Sequence, residues 1–259
     1  MSEVKQPELT RSQDIITVPL VGSDETLTID ISHIQTEDNA PVDSLFAERQ
    51  GRLLVDSLYA SWKPEQPFLA CENVGVFYGL HLPPVVPDVL VSLGVEPPQG
   101  EQIHEKRRRS YFVWEYGKAP DVVVEVISAT YGGELDEKQR IYERVGVRYY
   151  VVYDPMRLHI QGGLSGYELR GGGYVRLEGR QLGQIGLGVG LWRGQFDGVE
   201  GEWLRWYDAS GKLLLTGKEA AEQERLRAEA AEAQAKQERQ RAEQLAAALR
   251  KLGIDPEKL

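Results

Sequence analysis

The stretch that most limits what this chain can become runs from Pro120 to Pro155, PDVVVEVISATYGGELDEKQRIYERVGVRYYVVYDP. Asp121 to Ile127 is a run of β-branched residues, too short to span a membrane and too rich in valine for a preferred helix, and it predicts a buried strand. Glu125 sits inside that run. A carboxylate there loses hydration and needs a cation or a donor-rich neighbour. The period then changes: Leu135, Ile141, Tyr142 and Val145 recur at helical spacing, after Gly132-Gly133 and before Gly146 at the place of a helix C-cap. Lys138 and Tyr142 lie four apart on that helix. A second β run, Arg148 to Tyr153, follows at once. Strand, crossover helix and strand make a βαβ unit whose strands are expected to be parallel neighbours in one sheet.

The flanking chain supplies further elements. Leu45, Phe46, Leu53, Leu54 and Leu58 are spaced for an amphipathic helix over 42–58 that carries Glu48. Phe68 to Cys71 reads as a strand. Val85 to Val91 reads as another, with Asp88 behind Pro87, where a missing backbone donor suits a strand start. Tyr111 to Trp114 predicts an aromatic strand, with Trp114 more a core residue than a base-stacking one. Beyond Pro155, glycines punctuate short β runs at 158–161, 167–170 and 174–177, a meander of hairpins. Trp203 to Tyr207 and Lys212 to Leu215 predict one more hairpin around Asp208 and Gly211. Asp121 lies four residues before Glu125 on the same face, but a rise of about 3.3 Å per residue separates them by ~13 Å. One ion cannot bridge that gap, so Asp121 is expected to cap the strand start.

The order PDVVVEVIS, a helix with Lys138 and Tyr142, then GVRYYVVYDP closely resembles the Uma-type family of restriction-endonuclease-like proteins, within the PD-(D/E)XK nuclease superfamily. A second Pro-Asp, Pro87-Asp88, fits the same pattern, and the resemblance covers roughly residues 40 to 200. It implies an α/β, restriction-endonuclease-like fold: a mixed sheet flanked by helices, here followed by a long C-terminal helix. By that resemblance Asp88 and Glu125 are the metal-binding acids, helped by the carbonyl of Val126. The plain superfamily pattern has its lysine two residues after the acid, where this chain has Ile127, so Lys138 is the implied substitute. Tyr142, Glu48 and Asp121 are supporting candidates, Glu48 because a first-helix acid sometimes joins such a site.

The implied chemistry is metal-dependent hydrolysis of DNA phosphodiesters by an endonuclease or nickase. Two carboxylates suit a hard ion, Mg²⁺ or Mn²⁺, which activates water and offsets phosphate charge. Lys138 would orient the water or neutralise the phosphate as a point charge. The alternative is a catalytically silent nuclease-fold scaffold that assembles through its C-terminal helix.

Charge bears on the partner. With 40 acidic and 30 basic residues the net charge is -10, which disfavours non-specific nucleic-acid binding. Lys106, Arg107, Arg108 and Arg109 are one concentrated basic patch and the candidate nucleic-acid-binding run. Cys71 is the only cysteine, so no intrachain disulfide or thiolate cluster is expected. No apolar stretch is long enough to span a bilayer, and a cytoplasmic protein is expected. The reading divides the chain into residues 1–40, an N-terminal extension with a β-hairpin as one option; 41–216, the nuclease-like domain; 217–252, an Ala/Glu-rich helix; and 253–259, a tail. The helix keeps a 3.5-residue seam, but mostly of alanine, with its best grip at Leu245, Leu249 and Leu252. It predicts a weak coiled coil and self-association as a dimer.

Overall fold

A computed structural model describes residues 15–19, 26–31, 44–128 and 132–251. Two units separate, Met1–Leu214 and Leu215–Leu259. The first contains, in order, β1 (Ile15–Pro19), β2 (Thr26–Asp30), α1 (Leu45–Ser61), β3 (Phe68–Glu72), β4 (Val76–Phe77), β5 (Val89–Leu93), β6 (Tyr111–Phe112), α2 (Val113–Tyr116), β7 (Val122–Val126), α3 (Glu137–Val145), β8 (Tyr149–Tyr153), β9 (Leu164–Arg170), β10 (Gly173–Arg176), β11 (Gln181–Leu182), β12 (Leu187–Phe196) and β13 (Val199–Asp208). The second contains α4 (Gly217–Lys251).

Six strands form the central sheet in the order β10-β9-β8-β7-β5-β3. Its single parallel junction is β7 with β8, joined by α3; every other pair is antiparallel. That junction is the expected βαβ unit. The fold is α/β, a mixed sheet flanked by helices and followed by a long C-terminal helix.

Alternation along the strands assigns the two faces. Val122, Val124 and Val126 pack with Val89, Val91, Tyr149, Val151 and Tyr153 against Leu54 and Leu58 of α1 and Leu187, Leu204 and Trp206 of the second sheet, β11-β12-β13. Val123 and Ile127 face the other way, with Leu90, Tyr150 and Val152, and are covered by Tyr142 from α3 and Tyr111 from β6. Both faces of β7 are therefore buried, which explains its unbroken valine run.

Helix α1 starts where Ser44 accepts a hydrogen bond from the Ala47 amide at 3.0 Å. It docks by polar as well as apolar contacts. The Gln50 side chain is fully buried and pairs with the Leu204 backbone both ways, donating to its carbonyl and accepting from its amide at 2.9 Å each. The Tyr59 hydroxyl likewise meets both the amide and the carbonyl of Ala70 at 3.1 Å, on edge strand β3. The hairpin β1-β2 packs through Ile16 and Ile31 on Phe77 and Phe112, and Trp114 joins this cluster as a core residue.

Two expectations need correction and a third gains a partner. The aromatic strand stops at Phe112, and Val113–Tyr116 turns into α2, ended by Gly117 at φ 72. Residues 158–161 are a loop: the Asp154 carboxylate accepts from the amides of His159 and Ile160 at 2.6 and 2.9 Å, which removes donors from any ladder. Trp203 to Tyr207 belongs to β13, whose long partner is β12; the expected turn at Asp208 and Gly211 does form, and the returning segment pairs briefly with β13 through the bridge Tyr207–Leu213, the Asp208 amide donating to the Lys212 carbonyl at 2.8 Å and the Leu214 amide to the Trp206 carbonyl at 2.9 Å.

In the second unit, Thr216 and Glu219 form a reciprocal cap at the start of α4: the Thr216 amide donates to the Glu219 carboxylate at 2.8 Å and the Glu219 amide to the Thr216 hydroxyl at 3.2 Å. Leu245 is 62% exposed. The side chain of Leu249 and all of Leu252, the rest of the expected seam, lie outside the described residues. Among the described residues no helix is long and apolar enough to cross a membrane.

Candidate active site

Glu125 points to the α3 side of the sheet, alternating with Val124 and Val126, which face α1. In the β5-β7 register Val89 faces Val124 and Leu90 faces Val123. One further step sets Asp88 opposite Glu125, on the same face as Leu90. The Asp88 carboxylate is held by the Val126 amide, which donates to it at 2.6 Å just where the β5-β7 ladder has ended. A half-buried acid and a fully buried one thus meet at the ends of neighbouring strands.

Helix α3 closes over them. Tyr142 donates its hydroxyl to one Glu125 oxygen at 2.6 Å and Lys138 donates its ammonium to the other at 2.9 Å. The four-residue spacing of the two side chains allows this, since it stacks them on one helical face. Gly146 at φ 88 ends the helix and returns the chain to β8.

Burial pushes the Glu125 carboxyl up, to about 8, and the negative charge of Asp88 pushes the same way; Lys138 and the Tyr142 hydroxyl oppose them. Burial favours loss of the Lys138 proton, yet Glu125, and more weakly Glu134 and Asp88, hold that ammonium above its ordinary range. Glu125 is thus a buried carboxyl that gives up its proton readily only in cationic company. Tyr142 is raised well above its ordinary value, chiefly by burial, and so stays a donor.

Glu134 is a participant that the strand and helix patterns did not single out. It is buried, accepts from the Gly132 amide at 2.9 Å and lies 3.7 Å from the Lys138 ammonium. Its signal in the sequence was present: a glutamate four residues before a lysine, behind a glycine pair.

The other candidates lie elsewhere. Asp121 caps the far end of β7, accepting from the Leu93 amide at 2.8 Å and from Lys118 at 2.5 Å, as expected of a strand cap. Glu48 is on the opposite side of the sheet, 3.6 Å from Arg52, in the charged group of Glu72 and Asp197. Because α1 packs on the face away from Glu125, the supporting role for Glu48 is not realised in this structure. In the basic run, Arg107 pairs with Glu105 at 2.6 Å, Arg108 with Glu115 at 3.2 Å, and Arg109 donates to the His104 carbonyl. Lys106 opens the same short turn, Lys106–Arg108. Much of that positive charge is answered locally.

Among the described residues no group of three or more His, Cys, Asp or Glu side chains is disposed to hold a metal ion. Asp88 and Glu125 nonetheless fit one chemically: two hard-oxygen carboxylates on one face, in register, with solvent reaching Asp88. Such a pair suits Mg²⁺ or Mn²⁺, which keeps several waters and does not need an all-protein cage.

A family model described as "Uma2: Putative restriction endonuclease" matches residues 36–188, more than half of the chain. No curated protein matches it.

Proposed function

Because the chain belongs to the Uma2 family of restriction-endonuclease-like proteins, we propose that it hydrolyses phosphodiester bonds of DNA with the help of a divalent ion, as an endonuclease or nickase. The observation that carries this reading is the convergence of Asp88, Glu125 and Lys138 at one end of the sheet. Asp88 and Glu125 would hold Mg²⁺ or Mn²⁺. Bound there, such an ion lowers the pKa of a coordinated water and stabilises charge developing on the phosphate oxygens.

The protein's own groups have separate tasks. The Val126 amide fixes the Asp88 carboxylate, and the Tyr142 hydroxyl fixes the Glu125 carboxylate, so neither rotates freely. The Lys138 side chain is 28% exposed, and its ammonium is positioned to meet an anionic oxygen arriving from solvent. Burial of Glu125 keeps bulk water from screening these charges.

The test is thermal. Mn²⁺ or Mg²⁺ should raise the melting temperature of the parent, and Glu125→Ala should abolish both that rise and any nicking of supercoiled DNA. A parent with no divalent-ion response would overturn the reading. A second reading, a silent scaffold that assembles through α4, is favoured by the separate 35-residue helix and by the locally paired arginines. Deleting residues 218–259 separates the two, since an enzyme keeps its cleavage while a scaffold loses its assembly state.

A further inference from the structure

Lys138 stands between two acids. Its ammonium is 2.9 Å from Glu125 and 3.7 Å from Glu134. In this arrangement the lysine already bonds an oxygen of the carboxylate that the metal reading needs. A cation arriving at Glu125 competes with that ammonium, and the lysine then needs another counter-charge.

Glu134 is built to be that counter-charge. Its carboxylate folds back on the Gly132 amide, and a Cβ at position 132 would come within 2.7 Å of its oxygen, so a larger residue there would push the carboxylate aside. Its backbone carbonyl accepts from the buried Tyr150 hydroxyl at 2.6 Å, which ties the segment to β8. The carboxylate is therefore anchored through one oxygen while the other faces Lys138, with the side chain only 6% exposed.

We propose that Glu134 is a positioning residue that receives the Lys138 ammonium from Glu125 when a divalent cation is captured; this rests on the metal reading of Asp88 and Glu125. Without the Glu134 carboxylate, Glu125 is, among the described residues, the remaining acid within ion-pair distance of Lys138, and the lysine competes harder with the metal. Glu134 then governs metal occupancy while leaving the metal's own ligands alone.

The experiment is a double-mutant cycle read by Mn²⁺ titration of the full chain, using calorimetry and the electron-spin signal of free Mn²⁺. Glu134→Gln should weaken Mn²⁺ binding about tenfold, the scale at which groups behind a metal's ligands act. Lys138→Met in that background should restore the affinity, and in the Lys138→Met background Glu134→Gln should change little. An equal loss with and without Lys138 would mean that Glu134 acts only through its field, and overturns the proposal. So does parental affinity in Glu134→Gln. A parent that binds no Mn²⁺ overturns the metal reading together with this one, whereas a binding parent with an indifferent Glu134→Gln overturns this one alone. Should Glu134→Gln fail to fold, Glu134→Asp, whose shorter arm withdraws the carboxylate from Lys138, takes its place in the same cycle with the same expected coupling.

Discussion

A carboxylate at 1% exposure in a sheet of valines depends on its neighbours: Lys138 and Tyr142 hold the charge of Glu125, and Asp88 opposes it. Its carboxyl is raised from 4.5 to about 8, so between those values the folded protein retains a proton that the unfolded chain releases. Stability from this group is therefore full below about pH 4.5 and is lost as pH climbs towards 8. Urea midpoints measured from pH 5 to 8 should fall more steeply for the parent than for Glu125→Gln. Because a divalent ion binds the deprotonated form, its stabilising effect should grow over the same range. Tyr142→Phe removes the 2.6 Å donor and leaves a buried oxygen short of a partner, so it should cost about 1–3 kcal/mol in equilibrium unfolding. It should also weaken Mn²⁺ binding, since that hydroxyl favours the charged carboxylate.

At the level of elements, α1 and β13 are joined by one side-chain amide that acts like an extra rung of backbone. Gln50→Leu strands both the amide and the carbonyl of Leu204 and should lower stability by about 1–3 kcal/mol for each group left without a partner, read as a lower urea midpoint at unchanged slope. Such long-range pairing is invisible in the sequence, where residues 50 and 204 are only two polar and apolar letters far apart. The βαβ unit was legible because β7 and β8 are unbroken β-branched and aromatic runs and α3 has a glycine on each side. β12 was not, because Gly188, Gly190 and Gly194 dilute its alternation. The loop at 158–161 imitated a strand since its apolar spacing is right and only the Asp154 carboxylate, acting across the turn, decides otherwise. In the site, Asp88 and Glu125 could be paired by their motifs, but the displacement of Glu48 to the other face depends on which side α1 packs.

For the molecule as a whole, the acidic surplus sets how a polyanion can be approached. Helix α4 carries eight basic and seven acidic side chains, so the excess of acid lies outside it. DNA binding should consequently depend on the divalent ion: without Mg²⁺ or Mn²⁺, fluorescence anisotropy should show little affinity at moderate salt, and Glu125→Ala should not recover it when the ion is added. Since Met1–Leu214 is a separate unit, a chain ending at residue 216 should keep the melting temperature and ion response of the parent. The Tyr59 hydroxyl has a consequence of its own. Ala70 lies opposite Val91, whose carbonyl is taken by Asp121 on the far side, and so the Ala70 amide and carbonyl look outward from a border strand. By occupying both, one phenol denies a second chain its first foothold for cross-strand polymerisation. Concentrated stocks of Tyr59→Phe should cloud and bind fibril dyes well before those of the parent do.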